Sequence, residues 1–208
     1  MVHRIIAATG NRDKVREFRE LAGDLPVEIL SLKDIAFTGE IVETGTSFAE
    51  NARIKARSVW EQTGGLVFAD DSGLAIDALD GFPGIYSARF MGEDAPYDLK
   101  CAELNRMLDE KNVPREERRA RFVCAIAAVF PDGHEELTEA DVEGLIIREM
   151  RGRNGFGYDP VFYVPEFGCT TAEMSEEQKN LISHRGRAFV QMIPKIREWL
   201  EKEESAEG

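Results

Sequence analysis

Two carboxylates stand side by side at Asp70-Asp71, directly after the short apolar run Leu66 to Ala69, and Ser72-Gly73 follows them. Adjacent carboxylates at the end of a buried strand repel each other unless a cation or hydrogen bonds compensate. Magnesium suits such a pair, because it takes oxygen ligands, keeps several waters and bridges carboxylates to phosphates. Glu43, in the loop Val42-Glu43-Thr44-Gly45, offers a further carboxylate. An Asx-type turn with both aspartates in water accounts for the same four residues. On this segment alone the two readings stand level.

Three other segments carry chemical potential, each with a plainer explanation beside it. Thr9-Gly10-Asn11-Arg12-Asp13-Lys14 lies between a strand pattern and a helix pattern. Backbone N–H groups at a helix N-terminus next to a lysine can hold phosphate oxygens. The P-loop pattern is absent, and on the hexapeptide alone an Asn-capped helix with a solvated lysine is the better explanation. In Gly155-Phe156-Gly157-Tyr158-Asp159-Pro160 the glycines let backbone approach a ligand and expose Phe156 for stacking on a base, or simply form a tight turn with Phe156 in the core. Lys179 and Ser183-His184-Arg185-Gly186 gather donors and positive charge ahead of the last helix, where helix capping and surface exposure would also place them. Lys55 and Arg89 are ambiguous in the same way.

Composition limits what these residues can serve. With 208 residues, 43% of them hydrophobic, the chain can bury a sizeable interior. A formal charge of -13 argues against a nucleic-acid partner, which calls for a basic face. An anionic ligand would therefore need a local cluster of Lys and Arg, or a bound cation. Cys101, Cys124 and Cys169 form no C-x-x-C pair and read as small buried thiols of a reduced, cytoplasmic protein. Ile5 to Ala8 is too short for a signal peptide or membrane span, so no membrane association is expected.

The elements that must position these groups follow from periodicity. Strands are expected at Arg4 to Ala8, Val27 to Leu30, Leu66 to Ala69, Phe122 to Phe130, Leu137 to Ile147 and Val161 to Val164. Val15, Phe18, Ala22 and Leu25 share one face of a first helix. A second starts at Thr46 or Ser47, where Ser47 and Glu50 form a capping-box pattern. Its apolar face runs through Phe48, Ala52, Ala56 and Val59, leaving Asn51, Lys55 and Ser58 on another side. Pro96 to Glu110 reads as a helix, and a last helix groups Phe189, Met192, Ile193, Ile196 and Leu200, with Pro194 expected to kink or divide it. Strands and helices do not alternate strictly, which predicts an α/β fold with a mixed sheet. Residues 1–200 read as one domain and 201–208 as a flexible acidic tail.

Taken together and in order, the motifs resemble the inosine/xanthosine triphosphate pyrophosphatases. The resemblance runs from Ile5 to about Trp199 and rests on Thr9-Gly10-Asn11 with Lys14, Glu43-Thr44-Gly45, Phe48 with Glu50-Asn51-Ala52, and Lys55-Ala56-Arg57. It continues through Asp70-Asp71-Ser72-Gly73-Leu74, Pro83 to Arg89, Phe156 to Pro160 and Ile182 to Gly186. It implies an elongated mixed sheet with two α/β lobes flanking a nucleotide cleft, and a homodimer. The implied reaction is hydrolysis of non-standard purine nucleoside triphosphates between the α and β phosphates.

Under that resemblance Asp71 is the expected proton acceptor and Glu43 with Asp71 holds Mg²⁺; a metal-bound carboxylate is a poorer base, so Asp70 can share or take the proton-accepting role. Thr9, Gly10, Asn11, Arg12, Asp13, Lys14, Lys55 and Ser72 are expected around the phosphates. Lys179 is expected as another phosphate or ligand contact, and Phe156, Gly157, Tyr158, Asp159, His184 and Arg185 around the base. Donors from Arg185 or His184 would satisfy an oxygen at purine position 6 and reject the amine of adenine. A Maf-like pyrophosphatase fits the Phe156 and Ser183-His184-Arg185 segments poorly. A nucleotide sensor without turnover fits poorly with intact Asp70, Asp71, Glu43 and Lys14.

Overall fold

The apolar run that starts at Leu66 does not stop at Ala69. A computed structural model, which describes residues 2–207, carries it as one strand to Ile76, through both aspartates. In chain order the elements are β1 (His3–Ala7), α1 (Arg12–Ala22), β2 (Val27–Ser31), α2 (Phe48–Thr63), β3 (Leu66–Ile76) and α3 (Tyr97–Glu110). They continue with β4 (Arg119–Val129), β5 (Glu135–Ile146), β6 (Phe162–Val164), β7 (Cys169–Thr170), α4 (Glu176–Ile182) and α5 (His184–Glu207). The strands form a seven-stranded sheet in the order β2-β1-β3-β4-β5-β6-β7. β1 pairs parallel with β2 and β3, whereas β6 runs antiparallel to β5 and β7. The sheet is therefore mixed, as the irregular alternation of elements predicts.

The chain divides into two units, the first comprising Met1–Asp71, Cys124–Ala140 and Arg185–Gly208, the second Ser72–Val123 and Asp141–His184. In the first unit the period-2 alternation of a strand sorts side chains between two faces. Ile5, Ala7, Leu66, Phe68, Cys124, Ile126 and Ala128 turn to one face and pack against Phe18 of α1 and Phe189, Met192 and Ile196 of α5. Their neighbours Ala8, Val67, Ala69, Ala125, Ala127 and Val129 turn to the other, against Ala52, Ala56 and Val59 of α2. Helices on both faces explain why these strands read as unbroken apolar runs. Phe18, Phe68 and Phe189 meet with ring centroids 4.9 to 5.6 Å apart. Truncating such a buried ring to Ala costs about 3–5 kcal/mol.

Local sequence starts each helix. Asn11 caps α1 by accepting from the Asp13 and Lys14 N–H groups, and Val15, Phe18 and Ala22 fall on its buried side. Ser47 caps α2 by accepting from Glu50 N, and the Glu50 carboxylate reaches back to accept from Thr46 N, one residue before the cap. In the second unit the core joins Leu74 and Ile76 of β3 to Leu104 and Leu108 of α3, Phe122 of β4, Ile146 of β5 and Phe162 of β6. Cys101 is buried there, its thiol pushed up to about 12 by burial with Asp98 and Asp159 adding to the effect, so it is a packing residue.

Two expectations change at the C-terminal end. Pro194 does not divide α5, which runs unbroken to Glu207. Pro194 lies on the solvent side while Met192 and Ile196 stay buried, so core packing holds the turns on either side of it. The tail expected from residue 201 thus begins inside a helix. Among the described residues no helix is long and apolar enough to cross a membrane.

Candidate active site

Because β3 continues through residues 70 and 71, consecutive side chains must leave the strand on opposite sides. Asp70 shares the side of Phe68 and meets α1 and α5; Asp71 shares the side of Ala69 and meets α2. Both carboxylates are buried, which removes the reading of a solvated Asx turn. Each is stabilised where it stands by a different partner set.

Asp70 Oδ2 accepts from Lys14 Nζ at 2.8 Å and from Arg185 Nε at 3.4 Å, with none of its side chain exposed. Arg185 also donates from Nη1 to Glu17 Oε2. Burial pushes the Asp70 carboxyl up, but the charges of Lys14, Arg185 and Lys55 outweigh it and hold the group well below the usual carboxylate range. For Arg185, desolvation is likewise outweighed by Asp70 and Glu17, which hold the guanidinium charged.

The Asp71 side is balanced differently. Lys55 Nζ donates to Asp71 Oδ1 at 2.8 Å and also faces Glu43 Oε1 at 3.4 Å, so one ammonium serves two carboxylates. Asn51, one turn before Lys55 on α2, donates from Nδ2 to Asp71 Oδ2 at 3.3 Å. Its Oδ1 accepts from Gly45 N at 2.9 Å. A Cβ on Gly45 would come within 2.6 Å of that oxygen, so glycine is required for the close approach. Burial raises the Asp71 pKa, Glu43 adds to the rise, and Lys55 and Lys14 only partly oppose it. Lys55 is itself raised, its desolvation overcome by Asp71, Asp70 and Glu43.

The second unit holds a separate arrangement. Asp159 is buried and accepts at Oδ2 from Lys179 Nζ and from Phe156 N, both at 2.8 Å, while Oδ1 accepts from Thr171 Oγ1 at 2.8 Å. Lys179 Nζ lies 5.1 Å from the centroid of the half-buried Phe156 ring. Gly155 has φ +73°, and a Cβ there would stand 2.2 Å from Asp159 Oδ2, so the turn and the carboxylate fit only around glycine. Tyr158 is buried and donates its hydroxyl to Ser87 O at 2.8 Å. His184 stacks on Phe122, centroids 5.0 Å apart.

The structure brings Lys14, Lys55, Asp70, Asp71, Glu43 and Arg185 together in the first unit, with Thr9 to Asp13 leading into α1. Thr9 Oγ1 accepts from Asn11 N, and Gly10, Asn11 and Arg12 are exposed. Lys14 is held by Asp70, not solvated. Phe156, Gly157, Tyr158, Asp159, Lys179 and His184 belong to the second unit, together with a half-buried Ser72. Arg185, expected at the base, has two of its nitrogens on Asp70 and Glu17, because a buried guanidinium needs carboxylates more than it needs a neutral ring. Asn51 and Glu17 were not among the expected site residues. The i, i+4 spacing of Asn51 and Lys55 was the readable signal for the first.

Fold and site define a class: an α/β protein in which lysines, a capped helix N-terminus and an acidic pair converge at the middle of a mixed sheet. The chain belongs to the Ham1 family, whose model matches residues 5–195. It is 48% identical over 198 residues to the dITP/XTP pyrophosphatase of Bacillus cereus, covering 94% of this chain and 95% of that protein. Among solved structures it resembles a HAM1 protein from Coxiella burnetii (TM-score 0.85, 39% identity, 94% and 99% of the two chains covered). It also resembles the Ham1 protein of Staphylococcus aureus (TM-score 0.83, 36% identity, 94% and 98% covered). The resemblance noted in the sequence thus holds across the chain.

Proposed function

We infer that this protein hydrolyses non-standard purine nucleoside triphosphates, those of inosine, deoxyinosine and xanthosine, to the monophosphate and pyrophosphate. The curated relatives that share nearly half its residues are named as dITP/XTP pyrophosphatases. The observation that carries the chemistry is the under-compensated Asp71: a buried carboxylate with raised pKa that shares its one lysine with Glu43.

That pair fits a magnesium ion. Two carboxylates around one ammonium leave negative charge for a hard cation to offset, and no group of three or more His, Cys, Asp or Glu among the described residues is placed as a metal cage. Magnesium characteristically takes one or two protein carboxylates and completes its shell with water and substrate phosphates. Glu43 and Asp71 would hold it, and when bound it neutralises triphosphate charge and favours the pyrophosphate leaving group.

The protein's own groups divide the remaining work. Lys14, Lys55 and the N–H groups at the start of α1 hold phosphate oxygens by charge-assisted hydrogen bonds. Asp71 accepts the proton of the attacking water: it shares Lys55 with Glu43, whereas Asp70 is tied to Lys14 and Arg185. Asp70, stabilised as the anion by two cations, is a poor base and serves to position Lys14. Phe156 stacks on the purine with Lys179 and Asp159 supporting its loop, while His184 supplies a donor to the oxygen at position 6. Arg185 acts first through Asp70, and any contact with the base is secondary to that. A homodimer is part of the same proposal, supported by exposed Tyr86, Met91, Leu99 and Met150 in the second unit and checked by sedimentation equilibrium.

Steady-state pyrophosphate release across ATP, GTP, ITP, dITP and XTP, with Mg²⁺ and with chelator, tests the reading. The expected result is Mg²⁺-dependent turnover confined largely to the last three. Equal turnover of ATP would overturn the substrate assignment, and full activity in chelator the metal assignment.

A further inference from the structure

Asn51 has no part in the chemistry just described, yet its side chain is completely buried among charged groups. It is the residue that ties the backbone of the Glu43 loop to the Asp71 carboxylate: Oδ1 accepts from Gly45 N at 2.9 Å and Nδ2 donates to Asp71 Oδ2 at 3.3 Å. Lys55, four residues on, makes the parallel link between side chains, Glu43 to Asp71. An amide is the one neutral group of this size that donates at one end and accepts at the other. Aspartate would lose the donor and add a third carboxylate, leucine would lose both bonds, and glutamine is a methylene too long for a site this tight. On the loop side the fit is close enough that a Cβ on Gly45 would meet Asn51 Oδ1 at 2.6 Å and Asn51 N at 2.9 Å. Lysine alone cannot set this geometry, because a flexible ammonium attracts both carboxylates over a range of separations.

We propose that Asn51 is a positioning residue that fixes the spacing between Glu43 and Asp71, and thereby the affinity of the site for a divalent cation. The inference rests on the reading that these two carboxylates hold the metal. Groups that orient metal ligands through hydrogen bonds typically change metal affinity by about 10–100-fold when removed. A residue that only fills space would alter stability and leave cation dependence alone.

The test is Mn²⁺ binding to the full-length protein without substrate, followed by electron paramagnetic resonance, for wild type, Glu43→Gln, Asn51→Leu and Gly45→Ala. Gly45→Ala displaces the loop while keeping both groups of Asn51, so it carries the test if Asn51→Leu does not fold. Wild type should bind and Glu43→Gln should lose that binding. Asn51→Leu and Gly45→Ala should bind about 10–100-fold more weakly, with the half-saturating Mg²⁺ for turnover rising in step and added Mg²⁺ restoring the rate. Wild-type Mn²⁺ affinity in folded Asn51→Leu, or in Gly45→Ala should Asn51→Leu not fold, overturns the positioning role. Wild-type binding that Glu43→Gln leaves intact overturns the metal reading itself, and the inference with it.

Discussion

The two aspartates of β3 are chemically identical neighbours with opposite electrostatic fates. Asp70 meets two cations, Lys14 and Arg185, the latter shared with Glu17, and its pKa falls. Asp71 shares one cation with a second carboxylate, and its pKa rises. Burial acts in the same direction on both, so the difference lies in the ratio of charges on each side of the strand. The fully compensated carboxylate is suited to holding structure, and the under-compensated one to taking a proton or a cation. In the second unit Asp159 faces Lys179 one to one, with N–H and O–H donors completing its shell. That balance suits a support for a neutral aromatic ring.

The largest expected effect separates the aspartates by stability. Asp70→Asn leaves Lys14 and Arg185 around a neutral group, and breaking a buried pair in this way costs about 3–5 kcal/mol. Urea denaturation at neutral pH should show the loss; an unchanged midpoint would mean that the two cations find other partners. Asp71→Asn should show the reverse pattern, with kcat down ~10²–10³ and stability unchanged or improved. Pyrophosphate release from dITP measures the first part. A variant at wild-type rate would break the assignment of Asp71.

A smaller effect is expected at the ring. Phe156→Ala should weaken nucleotide binding by about 1–3 kcal/mol, the usual worth of one base stack, seen in KM for ITP with little change in folding. The smallest effect concerns pH. Asp71 has a folded pKa above its unfolded one, so the folded state holds more protons between the two values and stability declines as pH rises through that window. Asp70, with a lowered folded pKa, contributes stability that is present above its unfolded pKa and is lost as pH falls toward the folded one. With divalent ions chelated, Asp71→Asn should therefore melt higher than wild type at neutral pH, and the gap should close as pH falls through the raised Asp71 pKa. A gap constant with pH would show that Asp71 is not strained as the anion.

Much of the site was legible because its motifs are local. Asn11 followed by Lys14 reads as a helix cap with a lysine one turn in; the cap forms as read, and Lys14 turns to the buried Asp70 instead of to solvent. Gly45 and Gly155 mark close approaches that a side chain would block. The end of β3 was misjudged because charged residues ordinarily terminate a buried strand, and only partners from α1, α2 and α5 let this one continue. α4 escaped notice although Ser175 and Gln178 form a capping box, since seven residues show too little periodicity to stand out. Glu17 carried no signal at all: its partner Arg185 lies 168 residues away.

Residue types and spacing by themselves determined the α/β class, the starts of α1, α2 and α3, the candidate groups and the family, because each of these is written in short-range pattern. They could not rank Asp70 against Asp71, place Arg185 beside Asp70, or reveal Asn51 as a link between loop and strand. Those outcomes depend on which charges converge from distant segments onto each side of one strand, and only the folded chain sets that electrostatic balance.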